Sequence, residues 1–209
     1  MPGPIINEVA IANSALLKVG AQEISSFDDD TRSSNICQSL FYILRDEVMR
    51  AVPWRFALQQ LQLMTPNGTA PAFGYLAAYD IPDTILRVLN VDSDPWTVMG
   101  TQIFCNTTDG INTLNIFRNE NAQAWDSQFA EALAWRLAIE IALGLVQSAP
   151  MKQEMEKGYD KALALARSTN AVVGTPERLR ISEWASARKY QSDSNIFNVD
   201  VGPVEYYEP

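Results

Sequence analysis

The 209-residue sequence contains no histidine. This excludes His-dependent serine and cysteine triads, imidazole metal ligation and His-based pH switching together. Cysteine is nearly absent. Cys37 and Cys105 fall in a helical and a strand pattern, too few for a disulfide framework, and read as small buried hydrophobes in a reducing compartment. Positive charge is scarce, with 16 Lys and Arg against 25 Asp and Glu, a net charge of −9 spread along the whole chain. Such a balance leaves no room for a large basic face, which argues against phosphate-driven nucleic-acid binding. The 10 glycines are scattered, and none forms a G-x-G-x-x-G or phosphate loop. Long apolar runs are missing as well. The most apolar stretch, 129–146, is broken by Glu131, Arg136 and Glu140, which a membrane span would not tolerate. Met1-Pro2-Gly3-Pro4 has no basic n-region, so no signal peptide is expected.

What is present is enough for a folded core: 47% of the residues are hydrophobic and 20% charged. Ile5, Val9, Ala12, Leu16 and Val19 mark one face of a first helix, with Gly20 as its stop. After the acidic run Asp28-Asp29-Asp30-Thr31, a natural cap, Cys37, Phe41, Leu44, Val48 and Ala51 mark a second helix that Pro53 ends. From Trp54 the period becomes two: Trp54, Phe56 and Leu58 alternate with polar or small residues, and a parity shift at Leu61 and Leu63 predicts a bulge. Strands follow over 86–91, 96–99, 101–106 and 114–118, and Asp109-Gly110 reads as a two-residue hairpin turn.

A third helix is predicted over 127–147, capped by Asp126. Phe129, Leu133, Leu137, Ile141 and Leu145 form one row, beside an alanine row at 130, 134, 138 and 142 that admits close helix approach. Ser148 and Pro150 open a fourth helix with Met151, Met155, Tyr159, Ala162 and Ala166 facing inward. Thr175-Pro176 opens a short helical piece holding Trp184, and an acidic arm ends the chain. The expected fold is mainly α with a β insertion (α+β). A four-helix bundle (1–53 and 119–170) carries an inserted antiparallel β domain (54–118) between helices 2 and 3, and 171–209 forms a C-terminal helix and extended arm.

Few constellations invite chemistry. Glu131 could join a second carboxylate as a glycosidase acid–base couple, but Arg136 and Glu140 one turn apart favour ion pairs or an oligomer contact. Asp28-Asp29-Asp30 could hold a cation, yet it lacks the glycine and downstream glutamate of a calcium loop, and capping is preferred. Trp54, Trp96, Phe73, Tyr75 and Tyr79 could stack single-stranded bases. With Arg55 and Arg87 the only basic residues in 54–117, a β-domain core is the better reading. No catalytic residue, cofactor or metal ligand is assigned. In the arm, Phe197, Val199 and Val201 alternate with Asn198 and Asp200. With Tyr206 and Tyr207 as terminal anchors they are the candidate partner-binding residues, able to borrow a sheet edge.

Four phrases, in this order, resemble the head-to-tail adaptor (connector) proteins of short-tailed phages, the tail tubular protein A-like family. They are Ala15-Leu16-Leu17-Lys18-Val19-Gly20-Ala21 with Ile24-Ser25-Ser26-Phe27-Asp28-Asp29, Arg45-Asp46-Glu47-Val48-Met49-Arg50 with Pro53-Trp54-Arg55-Phe56-Ala57, Ile81-Pro82-Asp83-Thr84-Ile85-Leu86-Arg87-Val88, and Phe129-Ala130-Glu131-Ala132-Leu133-Ala134-Trp135-Arg136-Leu137-Ala138 before Tyr159-Asp160-Lys161-Ala162-Leu163. The likeness covers about residues 5–170 and leaves the arm unmatched. It implies a structural virion protein at the head–tail junction, assembled from the host cytoplasm. The protein would form a homo-oligomeric ring, a dodecamer, between portal protein and tail nozzle protein. Double-stranded DNA would pass through it without specific binding during packaging, retention and ejection, and no membrane would be involved. Twelve copies at −9 each carry −108, a charge that repels phosphate along such a passage. Two other readings stand beside it: a tail-associated peptidoglycan hydrolase with Glu131 as first suspect, and an unrelated cytosolic helical scaffold.

Overall fold

In a computed structural model that describes residues 6–68 and 71–172, helices flank a block of short strands. Helix α1 (Glu8–Lys18) starts where the Asn7 side chain accepts a hydrogen bond from the Ala10 amide at 2.7 Å. It stops in a Schellman motif: the Ala21 amide donates to Leu16 O and the Gly20 amide to Leu17 O, with Gly20 at φ +71°. The Asn13 amide then grips both backbone groups of Ile24 at 2.9 Å, fixing the loop against the helix. Helix α2 (Arg32–Ala51) is capped by Thr31, whose hydroxyl accepts from the Ser34 amide. Ser34, fully buried, turns back to the carbonyls of Ser26 and Phe27.

Beyond Pro53 the structure departs from the predicted strand. Arg55–Ala57 is a 3-10 turn, because Trp54 dives into the helical core and its indole N–H donates to Val48 O at 2.9 Å. The predicted bulge is absent: residues 58–63 pair in unbroken register, so Leu58 and Leu61 lie on opposite faces. Strand β1 (Leu58–Leu63) follows. The other strands are β2 (Ala77–Asp80), β3 (Ile85–Val91), β4 (Trp96–Met99), β5 (Gln102–Cys105) and β6 (Ile111–Phe117). They build two three-stranded antiparallel sheets, ordered β1-β6-β3 and β2-β5-β4, and the register shifts that do occur lie between β3 and β6. Asp109-Gly110 therefore connects strands of different sheets and is not a hairpin. Gly110 sits at φ +97°, and a Cβ there would lie 3.2 Å from Leu63 O, so glycine is needed for the crossing itself. Between the sheets, Tyr79, Ile103, Cys105, Ile111, Ala77 and Val91 form a small core of their own.

Helix α3 (Ser127–Ile141), capped by Asp126, is the centre of the helical part. Past Ile141 the expected helix changes pitch to a π-turn, Ala142–Val146, and closes with Gln147 at φ +55°. Here Arg32 donates to Gly144 O at 2.7 Å, and the phase change turns Leu143 and Val146 outward. Helix α4 (Ala149–Val172) runs on from Ser148, whose carbonyl accepts from the Lys152 amide.

The four-helix bundle is the expectation that fails. Helices α1, α2 and α4 each pack on α3, while α1 and α2 barely touch one another. The core around α3 is closed by Trp54, Ala57 and Ile116, from the 3-10 turn and β6, together with Leu58, Leu86 and Leu89 of the sheet. A helix apolar nearly all round accepts neighbours on every side, and here one side is taken by a sheet. The fold is mixed α+β, and the single inserted sheet of the expectation is two. The described residues belong to one compact unit. The predicted C-terminal helix and arm lie outside them.

Candidate functional site

Among the described residues, three groups of ion pairs gather around α2 and α3. Arg136 stands between Glu47 of α2 at 2.9 Å and Glu140 of its own helix at 2.7 Å. Burial works against its charge, but the two hydrogen-bonded carboxylates outweigh it and hold the guanidinium above its usual range. Arg45, almost wholly buried, pairs with Asp46 at 2.9 Å and Glu120 at 3.8 Å, and Asp46 also takes Arg118 at 2.8 Å. Lys18 binds Glu131 at 2.8 Å with its ammonium 4.2 Å from the centre of the Trp135 ring, tying α1 to α3.

Among the described residues, the candidates from sequence are not brought together into one site. Glu131, the hydrolase suspect, is half exposed and occupied by Lys18. Arg136 and Glu140 form the expected one-turn ion pair. In the acidic run, Asp29 accepts from the amides of Ser25 and Ser26 and so shapes the loop before α2. Among the described residues no group of three or more Cys, Asp or Glu converges as metal ligands. The five aromatics do not gather into a platform. Trp54 stacks against Phe56 and meets Phe129 edge-on in the helical core, and Tyr79 is buried between the sheets. Trp96 is half-buried, Tyr75 tilts on Phe104, and Phe73 is 89% exposed. Phe197, Val199, Val201, Tyr206 and Tyr207 lie outside the described residues.

Two features were not read from the sequence. One is a buried polar thread: Tyr79 donates to Thr107 O, accepts from the Gly110 amide, and Thr107 donates to Ser93 Oγ at 2.8 Å. It pins the crossing between the sheets, and single hydroxyls scattered over thirty positions give no local signal of it. The other is an open groove between the sheets with Arg50 and Arg87 in its wall. Arg87 is visible in sequence as one of the few basic residues of the β region, but its neighbour Arg50 comes from a different element. Burial pushes the Cys37 thiol up to about 11, and the Tyr159 phenol is raised by burial and then by the charge of Glu47. The first is a packing effect alone. Compared with protein-family models and with curated proteins, the sequence matches none.

Proposed function

We propose that this chain is the ring-forming subunit of a head-to-tail adaptor of a short-tailed phage. It would sit between portal and tail nozzle and form part of the channel for double-stranded DNA. The observation that carries the reading is that the four phrases bearing the resemblance touch one another in the fold. Lys18 of the first holds Glu131 of the fourth, and Trp54 of the second packs edge-on to Phe129 of the fourth. Arg136 of the fourth holds Glu47 of the second, and Arg87 of the third donates to Arg50 O of the second. Phrases of packing and turn residues that converge on one contact network support a shared architecture rather than chance composition. The net charge of −9 agrees with a passage that does not grip DNA.

On this reading the protein is a virion component without catalytic activity, drawn from the host cytoplasm as the ring assembles on the portal. The test is reconstitution: purified chain mixed with the portal ring encoded in the same genome. The expected result is co-sedimentation and, by electron microscopy, an added ring on one end of the portal, with the free chain monomeric or weakly associated in light scattering. Absence of portal and terminase genes beside this one, or no association at any ratio, would refute it. A zymogram of purified protein with a Glu131→Gln control addresses the hydrolase reading directly.

A further inference from the structure

We propose that the groove between the two sheets receives an extended, carboxylate-bearing segment of another protein, held by Arg50 and Arg87. The groove has a volume of about 460 Å³ and is walled by Ile85, Leu86, Arg87 and Val88 of β3, Val98 of β4 and Arg50 of α2. Both strands are sheet edges, β3 of one sheet and β4 of the other. An edge strand carries backbone donors and acceptors that a neighbouring strand has not used, which is the usual entry for an added extended segment.

Charge selects the segment. Arg45, Arg118 and Arg136 each have a carboxylate within ion-pair distance, and Lys18 and Lys152 do as well. Arg50 and Arg87 have none among the described residues; the same is true of Arg32, Arg55, Lys157, Lys161 and Arg167, but of these seven only Arg50 and Arg87 line the groove. Arg87 spends one N–H on Arg50 O at 3.3 Å, closing the end of α2, and its other donors meet no partner among the described residues. One carboxylate, Asp83, also lines the groove, so the wall is only locally positive. A closely spaced polyanion gains little there, whereas a peptide with separated carboxylates can meet the two arginines and avoid Asp83. The apolar residues Ile85, Leu86, Val88 and Val98 suit alternating aliphatic side chains, which a phosphate backbone lacks. A second depression meets the groove at Arg50 and Leu86 and runs to Ile43, which is 66% exposed, past Asp46 and Glu47, so the segment's carboxylates are confined to the Arg50–Arg87 end. The inference stands on this geometry and does not depend on the phage reading.

The test is a nuclear magnetic resonance titration of the full chain with a capped Val-Glu-Val-Glu-Val peptide, against Val-Lys-Val-Lys-Val, a short DNA duplex and no addition. The expected result is saturable shifts at the amides of 86–88 and 98–101, with half-saturation at or below roughly 1 mM. Arg50→Glu should weaken binding roughly threefold or more, since it removes an exposed ion pair and sets a carboxylate against the peptide, and Arg167→Glu on α4 should leave it unchanged. Arg50 is the variant of choice because its side chain makes no bond among the described residues, and Arg50→Gln serves if charge reversal disturbs the melt. No saturable shift, equal binding of the lysine peptide, or the same shifts from DNA would overturn the proposal. So would concentration-dependent self-association that Arg50→Glu abolishes, since the occupant would then be a second copy.

Discussion

Replacing Gly158 by alanine should destabilise this protein although it improves helix propensity. Gly158 lies in α4 against the indole of Trp135 on α3. A Cβ built at Gly158 would stand 2.5 Å from Trp135 Cε3, 2.6 Å from Cζ3 and 2.8 Å from Cδ2. Carbon contacts settle at about 3.5–4.0 Å, so ring or helix must retreat by about 1 Å. The ring is not free to swing, because Lys18 sits 4.2 Å from its centre and is anchored by Glu131. Overpacking of this kind costs about 1–3 kcal/mol, and the alanine returns about 1 kcal/mol of helix propensity. The net loss is about 0–2 kcal/mol, a fall in Tm of up to roughly 8 °C for a domain of this size. Circular dichroism melts read it directly. In a Trp135→Leu background the obstruction is gone, and Gly158→Ala should then stabilise by about 0.5–1 kcal/mol. A rise in Tm on placing Gly158→Ala in the natural sequence would show that α3 and α4 do not meet as described.

Three further outcomes are expected. Leu137→Ala, fully buried on α3, should cost about 2–5 kcal/mol in urea unfolding, while Glu131→Gln on the surface should cost no more than about 1 kcal/mol; comparable losses would misplace the helix. Tyr79→Phe removes the hydroxyl that bonds Thr107 O and the Gly110 amide and should cost about 1–3 kcal/mol, read in the same assay. Cys37 keeps its proton in the fold up to about pH 11 against an ordinary 9.0. The unfolded chain therefore releases it first, so stability is complete below pH 9 and falls by about 2 kcal/mol as pH rises towards 11. Cys37→Ala should flatten that part of the pH profile, and an unchanged slope would refute the assignment.

Legibility in the sequence followed locality. The stop of α1 at Gly20 and the cap at Thr31 involve residues within one turn, so composition alone reveals them. Asp109-Gly110 is equally local, and it does turn the chain, but turn chemistry sets a backbone angle and not a pairing partner. Strand β2 went unread because Ala77, Ala78 and Tyr79 are all buried, leaving no alternation to detect. The bundle expectation failed for a related reason. Apolar rows show that α3 is surrounded, and nothing in them tells a helix neighbour from Trp54 and Ile116. Ion pairs within a helix turn, such as Arg136 with Glu140, were visible; Arg136 with Glu47 was not.

The order in which the chain leaves a ribosome has a consequence here. Strand β6 is the middle of its sheet and the last of its three strands to be made, so β1 and β3 wait for it without partners. Helix α3 is the middle of the helical part and emerges after α1 and α2, which have little surface for each other. Both centres are thus late arrivals, and the earlier segments cannot bury their apolar faces until residues near 141 are clear of the exit tunnel. Synthesis at about 5–20 residues per second leaves those segments bare for several seconds. During that interval the growing chain is open to chaperones and to sister chains on the same message, and a stop codon before α3 would yield a fragment without a centre to collapse on.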